Sequence, residues 1–97
     1  MHVYVTLYGA LRVVSGQQIL HLSFDTTSIT VTLLLHTLVS AYPRIEPYLF
    51  DSSTQVLHPE IRMLLNGERL HHGVALTTPL YDNDRLTLLI TPSVSDH

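Results

Sequence analysis

Apolar and polar side chains alternate through residues 2–8, with Val3, Val5 and Leu7 on one face and Tyr4, Thr6 and Tyr8 on the other. A period of two is the signature of a strand with one face buried. Gly9 ends the run. A turn around Gly16 leads to a second segment, residues 18–24, in which Leu20, Leu22 and Phe24 share a face. Two such runs joined by a short glycine-containing connection predict a β-hairpin. The period then changes: Val31, Leu34, Leu35, Leu38, Val39 and Tyr42 recur at helical spacing and draw a single apolar stripe. Thr30 is the predicted N-cap, its hydroxyl placed to take a free amide hydrogen of the first turn. Pro43 is the predicted stop, because residues before proline avoid helical angles. Threonine and valine form helices poorly, so this helix must be held by packing against other elements.

Residues 44–60 read as a surface loop, with Pro47, Pro59 and a polar tip at 51–55. Residues 61–65 read as a strand. Asn66-Gly67 follows, and a type I′ turn needs the positive φ that both residues tolerate. Residues 68–70 return. A second loop at 73–79 leads to the Asp82-Asn83-Asp84 turn, a leucine-rich closing strand at 85–91 and a polar tail at 92–97. The order is ββαββ plus a closing strand, within a length that suits one domain spanning 1–97. One helix cannot cover two sheets, so the economical solution is an α+β fold, a mixed sheet of four to five strands packed on one main helix. The closing strand is expected beside the first, since a buried Leu-Leu-Ile run needs neighbours on both sides. That arrangement is a β-grasp, the ubiquitin-like architecture.

Composition narrows the function. Apolar residues make up 45% of the chain and charged ones 13%, a globular balance. The net charge of −3 and the lack of a basic stripe along the sequence argue against a nucleic-acid binder. All five bases are arginines, at 12, 44, 62, 69 and 85, so no lysine chemistry is available. With no cysteine there is no thiolate metal site or thiol nucleophile. The opening strand pattern lacks the basic head and apolar run of a signal peptide, and residues 26–43 are too polar for a membrane span, so a cytoplasmic location is expected. Seven histidines raise metal binding, but the adjacent pair His71-His72 points to opposite sides of an extended chain. No metal site and no cofactor is expected. Asp82 and Asp84 suit a turn better than an acid–base pair. No catalytic residue is assigned, and the chain is not expected to be an enzyme.

Four segments, in register, resemble a known family. Residues 5–12 (Val-Thr-Leu-Tyr-Gly-Ala-Leu-Arg) with Ser15-Gly16, Thr30-Val31 leading to Ala41-Tyr42-Pro43, Leu65-Asn66-Gly67-Glu68, and residues 78–84 (Thr-Pro-Leu-Tyr-Asp-Asn-Asp) are similar to the small subunit of molybdopterin synthase. The sulfur carrier of thiamine biosynthesis is the next relative in kind. The resemblance implies a β-grasp protein whose C-terminal Gly-Gly is adenylated by an activating enzyme, converted to a thiocarboxylate and offered to a partner enzyme. The tail departs from that pattern. Aligned on Val94-Ser95, the two glycine positions hold Asp96 and His97. Glycine passes narrow channels that a Cβ obstructs. A second carboxylate ~4 Å from the reacting one, in a partly screened site, would add at most about 4 kcal/mol of repulsion. That corresponds to roughly three orders of magnitude in rate. The four glycines, at 9, 16, 67 and 73, are nowhere adjacent, so cleavage within these residues exposes no Gly-Gly end.

What such a scaffold keeps is surface. Tyr4, Tyr8 and Ile19 are expected on the open face of the sheet, and Leu33 on an uncharged outer helix face with Thr32, His36, Thr37 and Ser40. Val94 would join them through the tail. Contiguous apolar surface on a small domain marks a partner site, although homo-oligomer packing or scattered single residues would leave the same pattern. The expectation is a non-enzymatic interaction or accessory module in or near molybdenum-cofactor or sulfur-transfer biosynthesis. Its partner would be a protein resembling the synthase large subunit or an activating enzyme. The alternative is a working sulfur carrier with an atypical or incompletely represented C-terminus.

Overall fold

The computed structural model describes residues 1–50 and 57–90. Strands β1 (His2–Tyr8) and β2 (Ile19–Ser23) pair antiparallel, as their alternation predicts, with Val5 opposite Leu20 and Tyr4 opposite His21. The connection is more than a turn. Gly9 opens a short helix α1 (Ala10–Ser15) at φ +64°, and Gly16 closes it in the left-handed conformation, its N–H reaching the Arg12 carbonyl at 2.9 Å. Leu11 of α1 is fully buried, which is what holds so short a helix in place.

Helix α2 (Val31–Ala41) buries Val31, Leu34, Leu35 and Leu38, with Val39 and Tyr42 partly covered, which is the expected stripe. The Leu33 N–H donates to Thr30 Oγ1 at 3.3 Å, confirming the cap. Two more first-turn amides, which no helix can satisfy internally, reach outside: Val31 N–H to the Thr78 carbonyl (3.0 Å) and Thr32 N–H to that of Leu76 (3.2 Å). The segment expected as a loop at 73–79 therefore completes the start of α2. It contains a short helix α4 (His72–Ala75) and strand β6 (Pro79–Tyr81), which pairs with β3 (Ser28–Thr30) in a second, two-stranded sheet.

The expectation of a surface loop over residues 44–60 is corrected in part. A 3₁₀ turn (Pro43–Ile45) and helix α3 (Glu46–Leu49) bury Ile45 and Leu49 completely, and Phe50 bridges to Leu57. The polar tip expected at 51–55 lies outside the described residues. Strands β4 (Ile61–Leu65) and β5 (Glu68–Leu70) form the expected hairpin, with Asn66 at φ +52° and Gly67 at φ +87°. The closing strand β7 (Asp84–Ile90) lies parallel to β1 and antiparallel to β4, giving a five-stranded sheet in the order β2-β1-β7-β4-β5. Val3, Val5, Leu7, Met63, Leu86 and Leu88 face α2 across one core. The fold is the α+β β-grasp expected, with the sheet at the upper end of the expected strand count. No described helix is long and apolar enough to cross a membrane.

Three outcomes test this packing. Leu88→Ala, at a fully buried position between β1 and β4, should lower unfolding free energy by about 2–5 kcal/mol in a urea titration. Val13→Ala, on the exposed side of α1 at 80% exposure, should change it by less than about 0.5 kcal/mol. Gly9→Ala sets a Cβ at φ +64° and 3.3 Å from the Ile90 carbonyl oxygen, and should cost about 1–3 kcal/mol in the same measurement.

Candidate functional site

The pleat sends alternate side chains of the large sheet away from α2. Register fixes which ones meet. His2, Tyr4, Thr6 and Tyr8 of β1 share the outward face with Ile19, His21 and Ser23 of β2 and with Arg85, Thr87 and Leu89 of β7. Arg62 and Leu64 of β4 and Arg69 of β5 complete it. Tyr8 is 42% and Ile19 65% exposed, while Tyr4, Leu64 and Leu89 are half-buried among their neighbours.

A line of rings crosses one end of this face. Arg85 and His21 stand directly across from Tyr4 on its two sides. The guanidinium carbon lies 5.8 Å from the Tyr4 ring centre, and the His21 ring stacks on the other side at 4.9 Å and 12°. His21 Nε2 is 2.8 Å from His2 Nδ1, and Ser23 Oγ is 3.2 Å from that same nitrogen. One imidazole must donate and the other accept, so the pair orients both rings. Together these contacts restrict side chains that would otherwise be free on an open surface, lowering the ordering cost of a docking event.

The Asp82–Asp84 segment works as the turn expected of it. Asp82 Oδ1 accepts the His2 N–H at 2.7 Å, and Asp84 accepts from the Tyr81 N–H (2.8 Å) and from Asn66 Nδ2 (3.0 Å). Asn66 Oδ1 in turn accepts the Arg85 N–H at 3.0 Å. These bonds tie the start of β1, the β4–β5 hairpin and the start of β7 to one another, at the same end of the sheet as the ring line.

Of the residues singled out in the sequence, Tyr4, Tyr8 and Ile19 come together on the sheet. Leu33, 47% exposed, sits apart on α2 in the helical layer. The outer side of that layer holds a shallow depression lined by His36, Val39, Glu46 and Phe50. Val94, Asp96 and His97 lie outside the described residues. Among the described residues, no three histidines or carboxylates converge as a metal would need. The sequence reading missed Leu64, Leu89 and the three arginines of the face. Alternation within Ile61–Leu65 and Asp84–Ile90 was a usable signal for all of these but Arg69, and only the register shows that they share one surface.

No protein-family model matches the chain, and no curated protein matches it. Solved structures do. The small archaeal modifier protein 1 from Methanosarcina acetivorans is 30% identical, with a TM-score of 0.79 over 99% of this chain and 96% of its own. The protein of the same name from Haloferax volcanii is 26% identical, with a TM-score of 0.82 over 98% of this chain and all 100% of its own. CysO from Mycobacterium tuberculosis is 28% identical, with a TM-score of 0.74 over 93% and 99% of the two chains.

The stacked pair on the face can be weighed directly. A double-mutant cycle of Tyr4→Ala and His21→Ala, followed by urea unfolding, should return a favourable coupling of about 0.5–1 kcal/mol. A coupling near zero would mean that the rings are neighbours without holding each other.

Proposed function

We propose that this chain, which belongs to the ubiquitin-like proteins with the sulfur-carrier and small-modifier fold, acts as a non-enzymatic module that docks on a protein through the outward face of its sheet. The observation that carries this reading is the face itself. Tyr8 and Ile19 stand exposed beside the half-buried Tyr4, Leu64 and Leu89, an apolar strip across four of the five strands. Partner sites on small domains have this composition, an apolar and aromatic centre with charged groups at its edge.

The reading gives the module a place in or near sulfur transfer or molybdenum-cofactor biosynthesis. Its partner would be an activating enzyme or a protein like the synthase large subunit. Support comes from the resemblance of its segments to the synthase small subunit and from its similarity to small modifiers. The likeness to the modifier protein from Methanosarcina favours a second reading, a working carrier or modifier with an atypical or incompletely represented C-terminus.

One experiment separates the two. The chain is incubated with ATP, a sulfide source and a purified activating enzyme, and its intact mass and its binding to that enzyme are measured. Docking without delivery predicts saturable binding and an unchanged mass. Tyr8→Ser with Ile19→Ser should weaken that binding by about tenfold while leaving the amide spectrum of the fold intact. A gain of about 16 Da, oxygen exchanged for sulfur at the terminal carboxylate, would establish the carrier reading instead.

A further inference from the structure

The five arginines are scattered along the chain, yet the fold gathers three of them on one surface. Arg62, Arg69 and Arg85 all take outward positions on the large sheet, and all three are exposed. Arg12 and Arg44 sit on the helical elements. Not one outward position of the five strands carries a carboxylate. The two acids within these strands, Glu68 and Asp84, stand opposite Leu65 and Val3, at alternate positions of the pleat. Glu60, one residue before β4, lies 3.9 Å from His58. None of the three arginines forms an ion pair among the described residues. Among the described residues, a chain whose formal charge is −3 thus presents a face with three arginines that no ion pair compensates.

The placement of these charges relative to the apolar strip is specific. Leu64 stands directly opposite Arg69 on one side and Thr87 on the other, and Arg62 stands opposite Leu89. Arg62 and Arg69 therefore bracket the Leu64–Leu89 centre. Arg85 lies farther along β7, held beside the Tyr4 ring. Apolar residues at the centre with unpaired guanidinium groups around them form a surface whose complement is apolar in the middle and acidic at the edge. Arginine's planar fork suits carboxylates, which it can grip through two parallel hydrogen bonds.

We propose that the partner of this face is an acidic protein surface, one whose carboxylates meet Arg62, Arg69 and Arg85 around an apolar contact on Leu64 and Leu89. This inference rests on the docking reading and names the chemistry of the partner. A phosphate backbone would also be drawn to arginines. However, a long polyanion must approach a molecule that is negative overall, whereas a compact acidic surface engages the patch within a Debye length of about 8 Å, where the local charge dominates.

The test uses two synthetic peptides of the same length with leucine at alternate positions, one with glutamate and one with lysine between them, and a uridine oligonucleotide as a third probe. Each is titrated into the whole chain while backbone amide and arginine Nε–H resonances are followed. The acidic peptide should shift Arg62, Arg69 and Arg85 together with the Leu64 and Leu89 amides, and the basic peptide should not. Arg62→Glu with Arg69→Glu should weaken acidic-peptide binding by about tenfold and flatten its salt dependence, whereas Arg12→Glu with Arg44→Glu should change it less than about twofold. Equal binding of the two peptides, or no effect of the face reversals, would overturn the charge complementarity. Tighter binding of the oligonucleotide than of the acidic peptide would overturn the choice of a protein partner. The docking reading fails separately, if Tyr8→Ser with Ile19→Ser leaves binding to the activating enzyme unchanged.

Discussion

The parallel pairing of β1 with β7 is the constraint on which the rest of this structure depends. It joins the first strand of the fold to the last one described, closing the sheet around the core that α2 covers. Its register puts Val5 beside Leu86 and Leu7 beside Leu88, so that both strands bury the same phase of their alternation. A slip of one residue would turn Leu86 and Leu88 out to solvent and Arg85, Thr87 and Leu89 into the core. The hydrophobic penalty of that exchange, and the cost of burying a guanidinium, make the register strongly specified. The outward face is therefore a consequence of core packing, and its composition is as fixed as the core itself.

The same pairing explains why the turn at 82–84 carries so many hydrogen bonds. β7 can lie parallel to β1 only if the chain arrives at the correct end of the sheet, pointing in the correct direction. Asp82 and Asn83 bond the backbone of His2 at 2.7 Å each, and Asp84 and Asn66 lock the hairpin to the start of β7. Asn83 holds φ +69°, the left-handed region that asparagine tolerates better than most residues. What a motif search would notice as a small acidic cluster is the device that sets strand direction. It also anchors Arg85 opposite Tyr4.

Legibility in the sequence followed the length of each element. The strands His2–Tyr8, Ile61–Leu65 and Asp84–Ile90 and the helix beginning at Val31 are long enough for periodicity to declare them, and the Asn66-Gly67 turn is short enough for residue chemistry to do so. Helices α1, α3 and α4 run four to six residues. That is about one turn, in which no period can be distinguished and which is not stable alone. Leu11, Ile45 and Leu49 are helical because the core receives them, a reason that exists only once the fold has formed. Strands β3 and β6, of three residues each, likewise depend on each other. The candidate face was half legible. Tyr4, Tyr8 and Ile19 follow from alternation within one hairpin. Leu64, Leu89 and the arginines needed the order and register of five strands, which long-range packing decides.

That division bears on how charge should be read in small folds. Along the sequence the arginines show no clustering, and the net charge points toward an acidic protein. A β-sheet, however, sorts charge by parity. Whether residues 62, 69 and 85 gather or disperse turns on whether each falls on the outward phase of its own strand, and on which strands are neighbours. With β7 between β1 and β4, Arg85 and Arg62 belong to adjacent strands, and Arg69 to the one beyond. A single shift in the phase of β4 would bury Arg62 and move Met63 outward. Because Met63 is fully buried, core packing holds Arg62 on the surface. The positive face is thus maintained by the apolar residues behind it, so recognition on this surface and stability beneath it share the same alternating code.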